Sequence, residues 1–143
     1  MIDRLLCGTL LLIASVASSP AQAASSSGKP IESPHRHGSE GLEGWTVSHR
    51  QVLEPEYPEA YPDLLIIARH GRVIRKIPGE PFVWQWIFWA GGRQLAYETG
   101  PLHWSLTCNL MDIETGHKLA NLDCFHELPA DAPAWEKALE TSQ

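Results

Sequence analysis

The feature that most constrains the fold is a series of short apolar segments separated by glycine and proline, which begins at Asp63. Residues 64–68 and 73–77 flank a His70-Gly71 turn signal, and this pattern is typical of a β-hairpin. Four further strand-like segments follow, at residues 82–89, 93–99, 103–113 and 117–124. Because short strands joined by short turns favour neighbour pairing, the sequence predicts a small antiparallel β-meander of about five to seven strands.

The end of the chain has a different periodicity. Asp131 is a potential N-cap, Pro133 suits the first turn of a helix, and Trp135 and Leu139 lie four residues apart on one helical face. We therefore expect one short C-terminal helix that docks on the sheet through Trp135. The predicted fold class is mainly β.

The first 23 residues have the pattern of a secretory signal peptide. Arg4 precedes an apolar run from Leu5 to Ala17, and Ala21-Gln22-Ala23 matches the small-x-small motif that signal peptidase prefers. A membrane anchor is the alternative, but the run is shorter than the roughly 20 residues that cross a bilayer as a helix. The sequence predicts cleavage after Ala23, a secreted or periplasmic location, and no membrane span in the mature chain.

Domain boundaries follow from composition. Residues 24–44 are rich in Ser, Gly, Pro and charge, and such a segment predicts a flexible leader. The prolines between Glu54 and Pro62 predict an extended connection, since proline removes a backbone donor. Residues 45–143 are then a single antiparallel domain with its helix, a size that suits one hydrophobic core. The formal net charge of −6 argues against nucleic acid as a partner.

Signal cleavage removes Cys7 and leaves two cysteines, Cys108 and Cys124. An even number in an oxidising compartment predicts a disulfide, although two free thiols, or a metal site that uses His126 or His103, stay open as alternatives. Pairing across the turn at residues 114–116 places the two cysteines diagonally on neighbouring strands, where Cα atoms are roughly 7 to 8 Å apart. That distance is slightly too long for a disulfide, so the bridge requires a bulge or a shift in register.

Part of the chain resembles a known repeat. Residues 86–97 (WIFWAGGRQLAY) and 110–119 (LMDIETGHKL) resemble a TolB-type β-propeller blade, with Ala90-Gly91 in place of the usual Pro-Asp pair and His117 inserted before Lys118. The resemblance covers residues 82–119. It implies three antiparallel strands with Gly92 and Gly116 in the turns, and it implies partner binding, which is what propellers mostly do. A single blade cannot close a ring of about four to eight blades.

Tryptophan density suggests a binding surface. Alternation along residues 82–89 places Phe82, Trp84, Trp86 and Phe88 on one face of a strand, with only Gln85 polar on the other. A central strand buried on both faces is one interpretation, because aromatic side chains dominate cores. The other is an exposed aromatic platform that binds a protein, peptide or carbohydrate. For this platform the predicted binding residues are Trp84, Trp86, Trp104 and Tyr97.

A catalytic alternative depends on two residues. Glu98 and His103 flank a strand-end loop, and a carboxylate with an imidazole can act as acid and base in a small hydrolase-like enzyme. The chain has no G-x-S-x-G, H-E-x-x-H, P-loop or dinucleotide motif. The sequence therefore favours a non-catalytic binding or interaction domain without metal or cofactor. A structural module whose sheet is completed by another chain is a third hypothesis, and the oligomeric state is left open.

Overall fold

The computed structural model describes residues 29–49, 60–101 and 105–142. Within these ranges the strands are β1 (Ile31–Glu32), β2 (Arg36–His37), β3 (Leu42–Ser48), β4 (Pro62–Arg69), β5 (Arg72–Pro78), β6 (Phe82–Trp89), β7 (Gln94–Gly100), β8 (Thr107–Asp112) and β9 (Lys118–Asp123). A 3-10 turn at Ala90–Gly92 joins β6 to β7, and the helix α1 spans Ala134–Glu140. The predicted hairpin around His70-Gly71 and the predicted C-terminal helix are confirmed.

The strands form two antiparallel sheets. In the first, β1 and β2 both pair with β3, which is followed by β4 and β5, and in the second the order is β6-β7-β8-β9. The predicted fold class, mainly β with antiparallel neighbours and one short helix, is confirmed. The meander is divided at residues 79–81, however, so that its second half packs against its first. The second sheet is covered by the first sheet on its inner face and by α1 on its outer face.

The main core lies between the two sheets. It consists of the buried side chains Leu42, Leu65, Ile67, Ile77, Val83, Trp86, Leu95, Tyr97, Met111 and Ile113. Gly44 of β3 permits the close approach of the sheets, since a Cβ atom at this position would lie 2.7 Å from the Trp86 ring. The Trp86 ring therefore lies directly against the Gly44 backbone, at a position where any side chain would displace it.

A second apolar cluster covers the outer face of the second sheet. Trp135 and Leu139 of α1 pack there with Ala96, Cys108 and Leu110, as the four-residue spacing predicts. The capping prediction is wrong, because the N-cap residue is Pro133, in an extended conformation, and Asp131 lies two residues earlier. Pro133 has no amide hydrogen, and its carbonyl accepts the Glu136 and Lys137 amides.

The structure differs from the predicted leader over residues 31–44. The short strands β1 and β2 pair with β3, and β3 itself begins at Leu42, before the predicted start of the folded domain at residue 45. Polar contacts hold this segment: the Arg36 guanidinium donates to the Trp86 carbonyl at 2.9 Å and lies 5.1 Å from the centre of the Trp86 ring. Before Leu42, backbone pairing, Arg36 and the stacking of His35 on Trp45 thus hold the chain in place of apolar burial.

Several predictions lie outside the described residues. These are the signal peptide at residues 1–23, most of the proline-rich connection, and the site residues His103 and Trp104. Across the described ranges, the structure contains no helix with the length and apolar character that a membrane crossing requires.

Candidate functional site

A cavity of about 260 Å³ opens between the two sheets, and it is the main candidate site. Strand β5 forms one wall, while β7, β8 and the β8–β9 turn form the other. The residues that line it are Arg75, Lys76, Ile77, Pro78, Glu80, Tyr97, Thr99, Met111, Thr115, Gly116 and Lys118. Its walls therefore combine apolar side chains with positively charged and hydroxyl groups.

Arg75 joins the two walls. Its Nε donates to the Ile113 carbonyl at 2.9 Å, and its other nitrogens donate to the carbonyls of Ile74 and Glu114. The turn that receives these bonds is held by Asp112, whose Oδ1 accepts the Thr115 amide at 2.7 Å. The Thr115 contacts lower the pKa of the Asp112 carboxyl. Arg75 thus supplies positive charge to the cavity while its hydrogen bonds fix the cavity's shape.

Tyr97 lies on the opposite wall. Its side chain is only 3% exposed, but its hydroxyl oxygen is not one of the fully buried polar atoms that lack a partner in the described chain, and the side chain lines the cavity. Burial, and secondarily the negative charge of Glu80, raise the pKa of the Tyr97 phenol, so the group is neutral at physiological pH. This hydroxyl is therefore available to a molecule in the cavity.

The charge of the cavity is opposite to that of the chain. Arg75, Lys76 and Lys118 contribute positive charge and Glu80 contributes one negative charge, whereas the whole chain carries −6. Lys76 and Lys118 are exposed, and neither takes part in an ion pair among the residues that the structure describes. Two ammonium groups are consequently free to bind an anion at the mouth of the cavity.

The structure separates the predicted aromatic platform. Trp86 is 4% exposed and belongs to the core with Tyr97, so neither is part of an exposed surface. Trp84 is half-buried, and its indole Nε1 donates to the Gly100 carbonyl at 2.9 Å. A register shift between Val83 and Gln85 interrupts the alternation on which the platform was predicted. Trp104 lies outside the described residues, so its role is still a prediction.

The predicted disulfide is present between Cys108 and Cys124. The pairing of Cys108 with Leu122 follows the predicted register, so the bridge is diagonal. The expected Cα separation was too long, because the two Cα atoms are 5.6 Å apart. Cys124 directly follows the last residue of β9, and its amide donates to the Leu106 carbonyl at 3.0 Å. The bridge therefore forms with Cys108 in its predicted register, and the irregularity in this ladder lies further along, between Leu110 and Met111.

Glu98 lies beside this disulfide. Its carboxylate oxygen and the two sulfur atoms are within 4.8 Å of one another, and burial raises the pKa of the carboxyl. The sulfurs are bonded to each other, so they offer no thiolate to a metal ion. A small cavity of about 40 Å³ at this place is also lined by His126, Leu128, Glu136, Leu139 and Glu140. Because His103 lies outside the described residues, the predicted Glu98–His103 pair has no geometry to report.

Sequence reasoning missed the positively charged wall of the cavity. Arg75 and Lys76 are adjacent basic residues in an acidic chain, and this was the one available signal. Lys118 lies more than forty positions further along and belongs to the other sheet. Only the packing of the two sheets brings these residues together.

Comparison of the chain with protein-family models, with curated proteins and with solved structures gave no match. The turns that contain Gly92 and Gly116 have positive φ angles of 85° and 76°. They join antiparallel strands of the second sheet, as in the local geometry implied by the blade resemblance. Membership in the TolB-type family stays a prediction.

Proposed function

We propose that the chain is a secreted, non-catalytic binding domain that holds a small organic anion in the cavity between its two sheets. The observation that carries this proposal is the combination, in one cavity, of two lysines that form no ion pair in the described chain with the largely buried side chain of Tyr97. Concave sites with apolar walls and a few convergent polar groups are the usual form of small-molecule sites.

Size and lining indicate the class of ligand. A volume of about 260 Å³ suits a molecule with few heavy atoms. Ile77 and Met111 offer apolar contact at the inner wall, while Lys76 and Lys118 offer charge toward solvent. The ligand that fits has a compact apolar body and one carboxylate or phosphate group. Tyr97 would donate a hydrogen bond to a polar atom on that body.

Secretion is supported by the sequence and by the bridge. The signal pattern ends at Ala23, and the Cys108–Cys124 disulfide is of a kind that persists in oxidising compartments. N-terminal sequencing of the protein exported by a secreting host should begin at Ala24. A start at Met1 would contradict this part of the proposal.

The binding experiment uses two probe anions: benzoate and phenyl phosphate. We expect saturable binding of at least one by calorimetry, with chemical-shift changes at Tyr97 in an NMR titration. The double variant Lys76→Gln with Lys118→Gln should weaken binding about tenfold or more, since charge-assisted hydrogen bonds are lost. Arg72→Gln is the matched control, because Arg72 is an exposed base of the same strand that does not line the cavity. No saturable binding of any probe, or equal affinity in the double variant, would reject the proposal.

One observation favours the second candidate function, a module completed by another chain. Strand β9 is an edge of its sheet, and Leu119 on it is 51% exposed, with Phe125 just beyond at 44%. Exposed edges can pair with a further strand. Light scattering across a concentration series tests self-pairing, and a constant monomer mass would contradict this form of the hypothesis.

A further inference from the structure

We propose that the Cys108–Cys124 disulfide is an exchangeable bond that an external dithiol attacks at Cys124, with Glu98 donating a proton to the departing Cys108 sulfur. This inference is independent of anion binding, because the disulfide lies on the outer face of the second sheet and the cavity lies on its inner face. It gives the domain a second activity, thiol–disulfide exchange.

The two sulfurs have different surroundings. Cys108 is 4% exposed and lies in the apolar cluster under α1, whereas Cys124 is partly exposed and follows the end of β9. Both line the small cavity at the surface, which gives a path to the bond. Attack requires access to one sulfur, and the other sulfur leaves. This asymmetry favours Cys124 as the point of attack and Cys108 as the leaving group.

Release of Cys108 as a thiolate is unfavourable unless a proton donor lies nearby. The surrounding Trp135 and Leu139 side chains provide no solvation, and burial in apolar surroundings disfavours a thiolate. Glu98 is the directly paired residue on the neighbouring strand, and its carboxyl oxygen lies within 4.8 Å of the sulfurs. Its raised pKa keeps a larger fraction protonated than in an ordinary glutamate. A proton donor is thus positioned beside the sulfur that needs one.

The exchange takes place in two successive displacements at sulfur. A thiolate of the external dithiol bonds to Cys124 Sγ, and the electron pair of the Cys108–Cys124 bond passes to Cys108 Sγ. The Glu98 carboxyl transfers its proton to that sulfur and becomes a carboxylate. The second thiol of the reagent, as thiolate, then displaces Cys124, which takes a proton from solvent. The dithiol is oxidised to a disulfide and the protein bridge is reduced to two thiols.

Other titratable groups face this site and shape its pH dependence. Glu136 and Glu140 approach from α1, and His126 approaches from the segment after β9. Gln85, opposite Glu98 on β6, has no charge, and its Oε1 is buried without a partner in the described chain. These groups line the cavity beside Glu98, and burial is the cause that raises the pKa of its carboxyl.

The first test measures reduction of the folded, oxidised protein by dithiothreitol over a pH series. We expect the rate to increase in proportion to reductant concentration. The observed rate constant of reduction, divided by the concentration of dithiothreitol thiolate, should fall as pH rises through the pKa of Glu98. Glu98→Gln should lower it on the order of 100-fold and remove the fall, as loss of a positioned proton donor does. Glu136→Gln, the matched control on the helix, should keep the fall.

Two outcomes would overturn the proposal. A rate that does not depend on dithiothreitol concentration would show that the bond is reduced only after the protein opens. An unchanged rate and pH profile in Glu98→Gln would show that the carboxyl donates no proton. The point of attack has its own test, in which the single variants Cys108→Ser and Cys124→Ser react with an aromatic disulfide reagent. The thiol of Cys124 should react faster, and faster reaction of Cys108 would contradict the assignment.

Discussion

The two faces of strand β7 differ in the charge around them, in the element that packs on them and in how open they are to solvent. Tyr97 points to the inner face, where an open cavity carries three basic side chains, and the next residue, Glu98, points to the outer face. There α1 closes the surface, and the nearby charges of Glu136 and Glu140 are negative. Successive residues of one strand therefore face surroundings of opposite charge, because side chains alternate between the two faces of a β-strand.

The largest expected difference between the faces is in core stability. Trp86→Ala should lower the free energy of unfolding by about 3 to 5 kcal/mol, because it opens a cavity between the sheets. Trp135→Ala should cost about half as much, since a seven-residue helix can leave the outer face without unfolding the sheets. Urea denaturation gives both values, and Phe125→Ala is the exposed control. A larger loss at Trp135 would reverse this ranking.

The disulfide is expected to have the next largest effect on the free energy of unfolding. Replacing both Cys108 and Cys124 by alanine should lower the free energy of unfolding by about 3 kcal/mol in the loop-entropy model. Because the bridge lies on the outer face, binding of anions on the inner face should not change. Urea denaturation and calorimetry of the same variant test both statements. Loss of anion binding would show that the two faces are coupled.

A smaller effect is expected from the buried carboxyls. Burial raises the pKa of Glu98, and burial together with Glu140 raises that of Glu136, so the folded protein retains protons that the unfolded chain releases. Stability should therefore fall as pH rises from the ordinary glutamate range through these raised values. Denaturation curves across pH should show this fall, and Glu98→Gln with Glu136→Gln should reduce it. An unchanged slope in the double variant would contradict the assignment.

The smallest effect concerns the ion pair that links the sheets at their open side. Arg69 of the first sheet bonds to Glu114 of the second at 2.9 Å, but the Glu114 side chain is 75% exposed. Glu114→Gln should change the free energy of unfolding by no more than about 1 kcal/mol, and salt should reduce the difference. Denaturation at low and high salt measures it. A larger effect would show that this pair controls how the sheets pack.

Local features of the fold were predictable and long-range ones were not. The His70-Gly71 hairpin and the Trp135 and Leu139 docking face follow from short spacings, and the disulfide follows from the even number of cysteines left after signal cleavage. The division into two sheets does not, because periodicity identifies strands without indicating which of them share a sheet. For the same reason the cavity was missed, since Lys76 and Lys118 meet only through sheet packing.

The bulge in β6 had no sequence signal either. It places Val83 in the core and leaves Trp84 half-buried, which ends the regular alternation of aromatic residues. Residues 31–37 were missed because their pairing depends on backbone bonds and on Arg36, and neither gives a hydrophobic pattern. Apolar periodicity does not predict strands that are stabilised mainly by polar contacts.

The bulge and Arg36 have a joint consequence for β6, which is an edge strand of its sheet. An uninterrupted edge strand so rich in aromatic residues would favour strand pairing between molecules and hence aggregation. The bulge breaks the regular spacing of backbone groups near Trp84, and the Arg36 guanidinium occupies the carbonyl of Trp86. The amino-terminal segment thus covers part of this edge, and its removal would leave the Trp86 carbonyl open to pairing with another molecule.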